Sequence, residues 1–168
     1  GDEALANHVL MQAWTMTLVF GSGMVMIGVF FTEPMLRLLG LSDAVVAEAA
    51  PYMRLYFVGH MTTAFQQVSG HALGAAGDTL TLMKSTTVAR VIHLVLSPLL
   101  VFGLVGFPEM GLAGAALANI IAHGISVTIL LRVLFRGTSR LHPRLRDYRF
   151  DGPLLWQLTK VGVPAALN

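Results

Sequence analysis

LMQAWTMTLVFGSGMVMIGVFF, residues 10–31, runs for 22 residues without an Asp, Glu, Lys or Arg. A helix rises about 1.5 Å per residue, so about 20 mostly apolar residues cross a hydrocarbon core about 30 Å thick. The stretch reads as a membrane span, and the rest of the chain agrees. Of the 168 residues, 55% are hydrophobic and 12% are charged, the latter about half the share of an ordinary soluble domain. Mean hydropathy is +0.69. A soluble fold needs more charge than this to cover its surface, and a disordered chain would be more polar. There is no cysteine, which excludes disulfides, thiolate metal ligands and a cysteine nucleophile.

Working outward, residues 55–73 and 111–131 are also free of charge. A further apolar run, residues 80–105, carries Lys84 and Arg90 in its first half. Either this span starts late, or these two side chains snorkel to the interface or face protein. The fold class is therefore all-α, a polytopic transmembrane bundle of about four spans. DGPLLWQLTKVGVPAALN, residues 151–168, reads as the amphipathic entry to a fifth. The expected organisation is a four-helix part over 1–131, a basic linker over 132–151, and the start of another transmembrane helix over 152–168. The opening GDEALANHV lacks the basic n-region and cleavage site of a signal peptide. Both ends are abrupt, so the chain is expected to be an excerpt of a longer membrane protein.

The connections carry distinct signals. TEPMLRLLGLSDAVVAEAAP, residues 32–51, reads as a short amphipathic interfacial piece, with Ser42 or Asp43 as helix cap. In GAAGDT, residues 74–79, Gly77 can end one helix in a left-handed conformation while Asp78 or Thr79 caps the next. Gly103, Gly106, Pro108 and Gly111 mark a tight turn. The linker holds Arg132, Arg136, Arg140, Arg144, Arg146 and Arg149 against Asp147 alone. Basic residues in short loops mark the cytoplasmic side. Alternation of spans then puts the N-terminus, GAAGDT and residues 132–151 together in the cytoplasm, and the protein in the plasma (inner) membrane. The pI of about 9.4 reflects this topogenic run against anionic lipid. No nucleic-acid partner is expected, because no aromatic platform or folded basic domain accompanies it.

Inside the spans, polar residues fall on helical stripes: His60, Thr63, Gln67 and His71; then Thr86, Arg90, His93 and Ser97; then Asn119, His123 and Ser126. Polar groups find no partner in lipid, so each stripe faces protein or a water-filled path. The two readings are interhelical hydrogen bonding and the lining of a substrate or ion pathway. The pathway candidates are His60, Gln67, Arg90, His93, Ser97, Asn119 and His123. Gly114, Ala118 and Ala122 form a small-xxx-small row that lets backbones approach. Pro98 interrupts the third span and is expected to kink it. The first span carries little polarity and should face lipid more. No HExxH, nucleophile elbow or phosphate loop is present, and His60 to His71 spans about 16 Å, too far for one metal. No catalytic residue, metal site or cofactor is expected, and the chain does not read as an enzyme.

TEPMLRLLGLSDAVVAEAAPYMRL, HALGAAGDTLTLM, IHLVLSPLLVFGLVGFPEMGLAGAALAN and KVGVPAALN, in this order, resemble the multidrug and toxic compound extrusion (MATE) family. The piece is similar to the third to sixth helices of that family's first half, plus the entry to the seventh. The resemblance implies a twelve-helix antiporter in the lipid bilayer. Its two lobes would surround a cavity that exports amphipathic organic cations in exchange for protons or sodium, with the remainder of the polypeptide closing the path. Many members carry an Asn, an Asp and a Thr that act with an Asp on the first helix; the matching positions here are His93, Ser97 and Asn119. The family's Arg-Gly ahead of GDT is Gly74-Ala75. The resemblance leads to the expectation that His93, Ser97 and Asn119 form a polar cluster with His93 as the titrating member. Two alternatives stand: a lipid or lipid-linked oligosaccharide flippase of related fold, which would favour a basic cavity with Arg90, and a non-transporting membrane subunit whose stripes glue helices together.

Overall fold

The computed structural model describes residues 2–136, 141–143, 146 and 148–167, with the side chains of those from 3 to 160. Arg140, Arg144 and Asp147 of the basic run lie outside the described residues. The described chain is a helical membrane bundle: α1 (Asp2–Leu38), α2 (Asp43–Ala75), α3 (Thr79–Val101), α4 (Gly111–Arg136) and α5 (Gly152–Leu167), with a short 3-10 turn at Leu104–Gly106. α1, α3 and α4 are long and apolar enough to cross a membrane. α2 is 33 residues long and takes the place of the second expected span, between α1 and α4. The polar residues it turns toward α4 lower its hydropathy.

The first connection differs from the expected interfacial piece. Only residues 39–42 separate α1 from α2. Pro34 and Pro51 lie within the helices and end neither. Each proline removes one backbone donor, yet the helix runs on through both. Ser42 sits at the cap position of α2, though its side chain makes no capping bond. Asp43, in the first turn, accepts from Arg37 at 2.7 Å. Arg54 donates to Glu33 at 2.7 Å, joining α2 to α1.

The other two turns follow the sequence closely. Gly77 has φ +91°; its N–H bonds Gly74 O, and the N–H of Asp78 bonds Leu73 O. This is the Schellman pattern that closes a helix C-terminus. Asp78 then accepts from Thr81 N at 3.1 Å and caps α3. Gly103, Gly106 and Gly111 all take positive φ, folding the α3–α4 turn back on itself so that the two helices run antiparallel in contact.

The packing order is α1, α2, α4, α3, with α2 also touching α3 and α5 resting on α1. One apolar cluster gathers Leu10, Met11, Trp14, Leu73, Leu130, Leu134 and Leu141. It joins the start of α1 to the ends of α2 and α4 and to the linker. Gln12, fully buried, donates to Arg149 O, and Asn7 accepts from His142 N at 2.8 Å. The N-terminus, the Gly74–Thr79 turn and the linker therefore share one end of the bundle. Asp151 accepts from Leu154 N at 3.0 Å and faces His8 Nε2 at 3.3 Å. The Leu154 amide first, and His8 second, hold its carboxyl below the usual carboxylate range. The stabilisation of the Asp151 carboxylate is therefore present at neutral pH and is lost as the pH falls through that lowered value. Beyond this end, α1 exposes Val19, Phe20, Met26, Phe30 and Phe31, the apolar face suited to lipid.

Candidate functional site

The site is built at the junction of α2, α3 and α4, and small residues bring those helices together. Gly114, Ala118 and Ala122 are all buried. A Cβ on Gly114 would stand 2.6 Å from the Leu100 carbonyl oxygen, and one on Gly59 would stand 2.9 Å from Ile120. The small-residue row on α4 therefore does what its spacing predicts: it admits a neighbouring backbone.

Behind this contact runs a buried polar network. Gln66 Nε2 donates to Ser126 Oγ at 3.0 Å, and Gln66 Oε1 lies 2.7 Å from His123 Nδ1. A carboxamide oxygen only accepts, so Nδ1 of His123 carries the hydrogen. Nε2 of His123 makes no hydrogen bond among the described residues and is not a buried unpaired atom; it is open to the adjoining cavity. Beside the network, Trp14 donates to Ser69 Oγ at 3.0 Å and meets Phe135 at a ring separation of 5.9 Å.

In front of the network lies a cavity of about 400 Å³. α2 contributes Tyr56, Gly59, His60, Thr63, Gln66, Gln67 and His71; α3 contributes Leu82, Thr86 and Arg90; α4 contributes Ala116, Asn119 and His123. Five of the seven sequence-derived candidates, His60, Gln67, Arg90, Asn119 and His123, are thus brought to one cavity. His93 and Ser97 are not among its lining residues. They stand half-buried further along the same stripe of α3, and no hydrogen bond joins either of them to Asn119. Gln66 and Ser69, both buried, are the residues that the sequence reading passed over. Their signal was a second face of α2, with Gln66, Ser69, Gly70 and Leu73 at helical spacing.

The two sets of polar residues behave differently. Gln66, Ser126 and Nδ1 of His123 are satisfied within the protein. His60, Gln67, His71, Thr86, Arg90 and Asn119 line the cavity without a protein hydrogen bond among the described residues. The first set holds helices; the second is free to meet water or a solute.

The MatE family pattern matches residues 1–99, more than half of the chain. The chain belongs to the MatE family. It is 33% identical over 173 residues to "Probable multidrug resistance protein YoeA" of Bacillus subtilis (strain 168), covering 99% of this chain and 37% of that protein. It is 29% identical to "FAD transporter" of Shewanella oneidensis, covering 77% of this chain and 28% of that protein. A multidrug resistance MATE family transporter solved in an outward-facing conformation superposes with a TM-score of 0.87 at 23% identity, over 99% of this chain and 36% of that one. The likeness of structure shows the shared helical fold. The chain spans 37% and 28% of the two relatives named above. The relatives and the solved structure named here are described as multidrug resistance proteins or transporters.

Proposed function

We propose that the full-length protein is a secondary active transporter that exports amphipathic drugs or metabolites in exchange for protons or sodium. The observation that carries this reading is the cavity between α2, α3 and α4. Buried polar residues that only glue helices find partners in one another, as Gln66, Ser126 and His123 do. His60, Gln67, His71, Thr86, Arg90 and Asn119 on the cavity wall have no such partner among the described residues, and unpartnered polar groups at membrane depth require water or a solute. His93 and Ser97 extend the same polar stripe past Arg90, and we take the path to continue along them toward the Gly103–Gly111 turn. The resemblance to multidrug exporters favours organic cations as substrates. The related flippase reading, with an anionic amphipath, is favoured by one feature of the cavity, its lack of carboxylates.

Two experiments test the proposal. In cells stripped of their own dye exporters, the full-length protein is expected to lower ethidium accumulation. A protonophore should abolish the effect if protons drive export, and sodium removal should abolish it if sodium does. Unchanged accumulation across a panel of dyes under both gradients would refute the exporter. The proposed orientation places residues 132–151 in the cytoplasm of the plasma (inner) membrane. A membrane-impermeant maleimide should label Glu109→Cys on intact cells, and Arg146→Cys only after permeabilisation. The reverse pattern would invert the topology.

A further inference from the structure

We infer that the half of the path contained in this chain is an anion-receiving surface, shaped for a phosphate, carboxylate or sulfonate on an amphipathic solute. The inference takes the cavity to be the transport path proposed above and names what that path accepts.

The charge inventory of the cavity is one-sided. Its lining includes Arg90, His60, His71 and His123, and no Asp or Glu. The helices themselves are equally bare. α3 and α4 contain no Asp or Glu at all, and α2 has only Asp43 and Glu48, in its first two turns. Arg90 is the twelfth of the 23 residues of α3, near mid-span, yet it forms no ion pair with a described residue. An arginine held at that depth without a counter-ion is costly on every insertion scale. A guanidinium presents a planar fork of donors matched to the two oxygens of a carboxylate or phosphate.

The neighbouring polar groups point the same way. With Nδ1 committed to Gln66, His123 turns its Nε2 toward the cavity. Gln67 and Asn119 bring amide N–H groups to the same space. A cationic solute would find no carboxylate here and would face a fixed positive charge. An anionic one would find a guanidinium, imidazoles and amides together.

The test uses the purified full-length protein in detergent and three dansyl probes of equal length, ending in an alkyl phosphate, a trimethylammonium or a neutral alcohol. Binding is read by fluorescence anisotropy with no ion gradient. The phosphate probe is expected to bind about tenfold or more tighter than the ammonium probe, the scale of one charge-assisted hydrogen bond. Arg90→Gln should weaken the phosphate probe by about tenfold and leave the alcohol probe unchanged, while Arg90→Lys should retain most of the preference. Arg90 stands on the cavity wall, outside the buried interior of the described helices, so these variants leave that interior intact. Tighter binding of the ammonium probe would overturn the inference. So would phosphate binding indifferent to Arg90→Gln, the result expected if a carboxylate elsewhere in the protein already neutralises the guanidinium. Displacement of the phosphate probe by inorganic pyrophosphate would assign the site to a water-borne anion. Displacement by phosphatidylglycerol in mixed micelles would assign it to a lipid headgroup, and displacement by neither would count against an anion site. The two readings fail separately. A protein that binds the phosphate probe but moves no dye keeps this inference and loses the exporter. One that exports ethidium and ignores the phosphate probe does the reverse.

Discussion

Gly114→Val is expected to break the seam between α3 and α4 and to cost the full-length protein most of its folded yield. Even a methyl at this position meets backbone rather than a yielding side chain: the Leu100 carbonyl oxygen at 2.6 Å, its carbon at 2.7 Å and the Val101 nitrogen at 3.0 Å. The Leu100 carbonyl is also held by the Met110 N–H at 3.0 Å, so it cannot tilt away without releasing the turn that joins the helices. Overpacking of this kind costs about 1–3 kcal/mol and occasionally more. Gly114→Ala should fall within that range and valine at or beyond its upper end. Gly124 lies on the same helix with nothing within 4 Å of its would-be Cβ. Gly124→Ala should therefore be neutral, or stabilising by about 0.5–1 kcal/mol through reduced backbone freedom. Thermal unfolding of both alanine variants in detergent checks this. Equal melting temperatures would mean that the α3–α4 contact does not depend on Gly114.

The consequence reaches the site, because Arg90 on α3 faces Asn119 and His123 on α4 across that seam. A splayed seam would widen the cavity and let it flood. The same glycine that permits the helix contact thus sets the spacing of the groups that line the path.

Local features of the fold were legible in the sequence wherever the signal was local. Gly77 and Asp78 announced the end of α2 and the start of α3, and the glycines of residues 103–111 announced the tight turn, because turn geometry is set by a few adjacent residues. The apolar runs announced α1, α3 and α4. The region around Pro34 and Pro51 misled. Proline removes one backbone donor without fixing a helix end, and the helical hydrogen bonds on either side of Pro34 and Pro51 carry α1 and α2 through them. The site was legible as stripes and not as partners. Helical spacing found His60, Gln67, Arg90, Asn119 and His123, which share the cavity. It passed over Gln66, one position from Gln67, because the partners of Gln66 are Ser126 and His123, about sixty residues away. That pairing follows from α2 packing on α4, a non-sequential neighbour. Gln12, which reads as an isolated polar residue near one end of a lipid-facing helix, is buried for a related reason: the linker folds back over it.

The central claim is that the cavity between α2, α3 and α4 is the path a substrate takes, and a thiol placed in it reports on that directly. Gln67 is exposed and lines the cavity, and this chain has no native cysteine. In the full-length protein, with any cysteines outside these residues replaced, Gln67→Cys is to be reconstituted into vesicles and treated with a bulky, water-soluble methanethiosulfonate. Transport of the dye that the protein moves is followed before and after treatment, and the labelling rate is followed with and without that dye. The account predicts that transport falls to background after modification and that the dye slows labelling. Complete modification with transport and labelling rate both unchanged would contradict it.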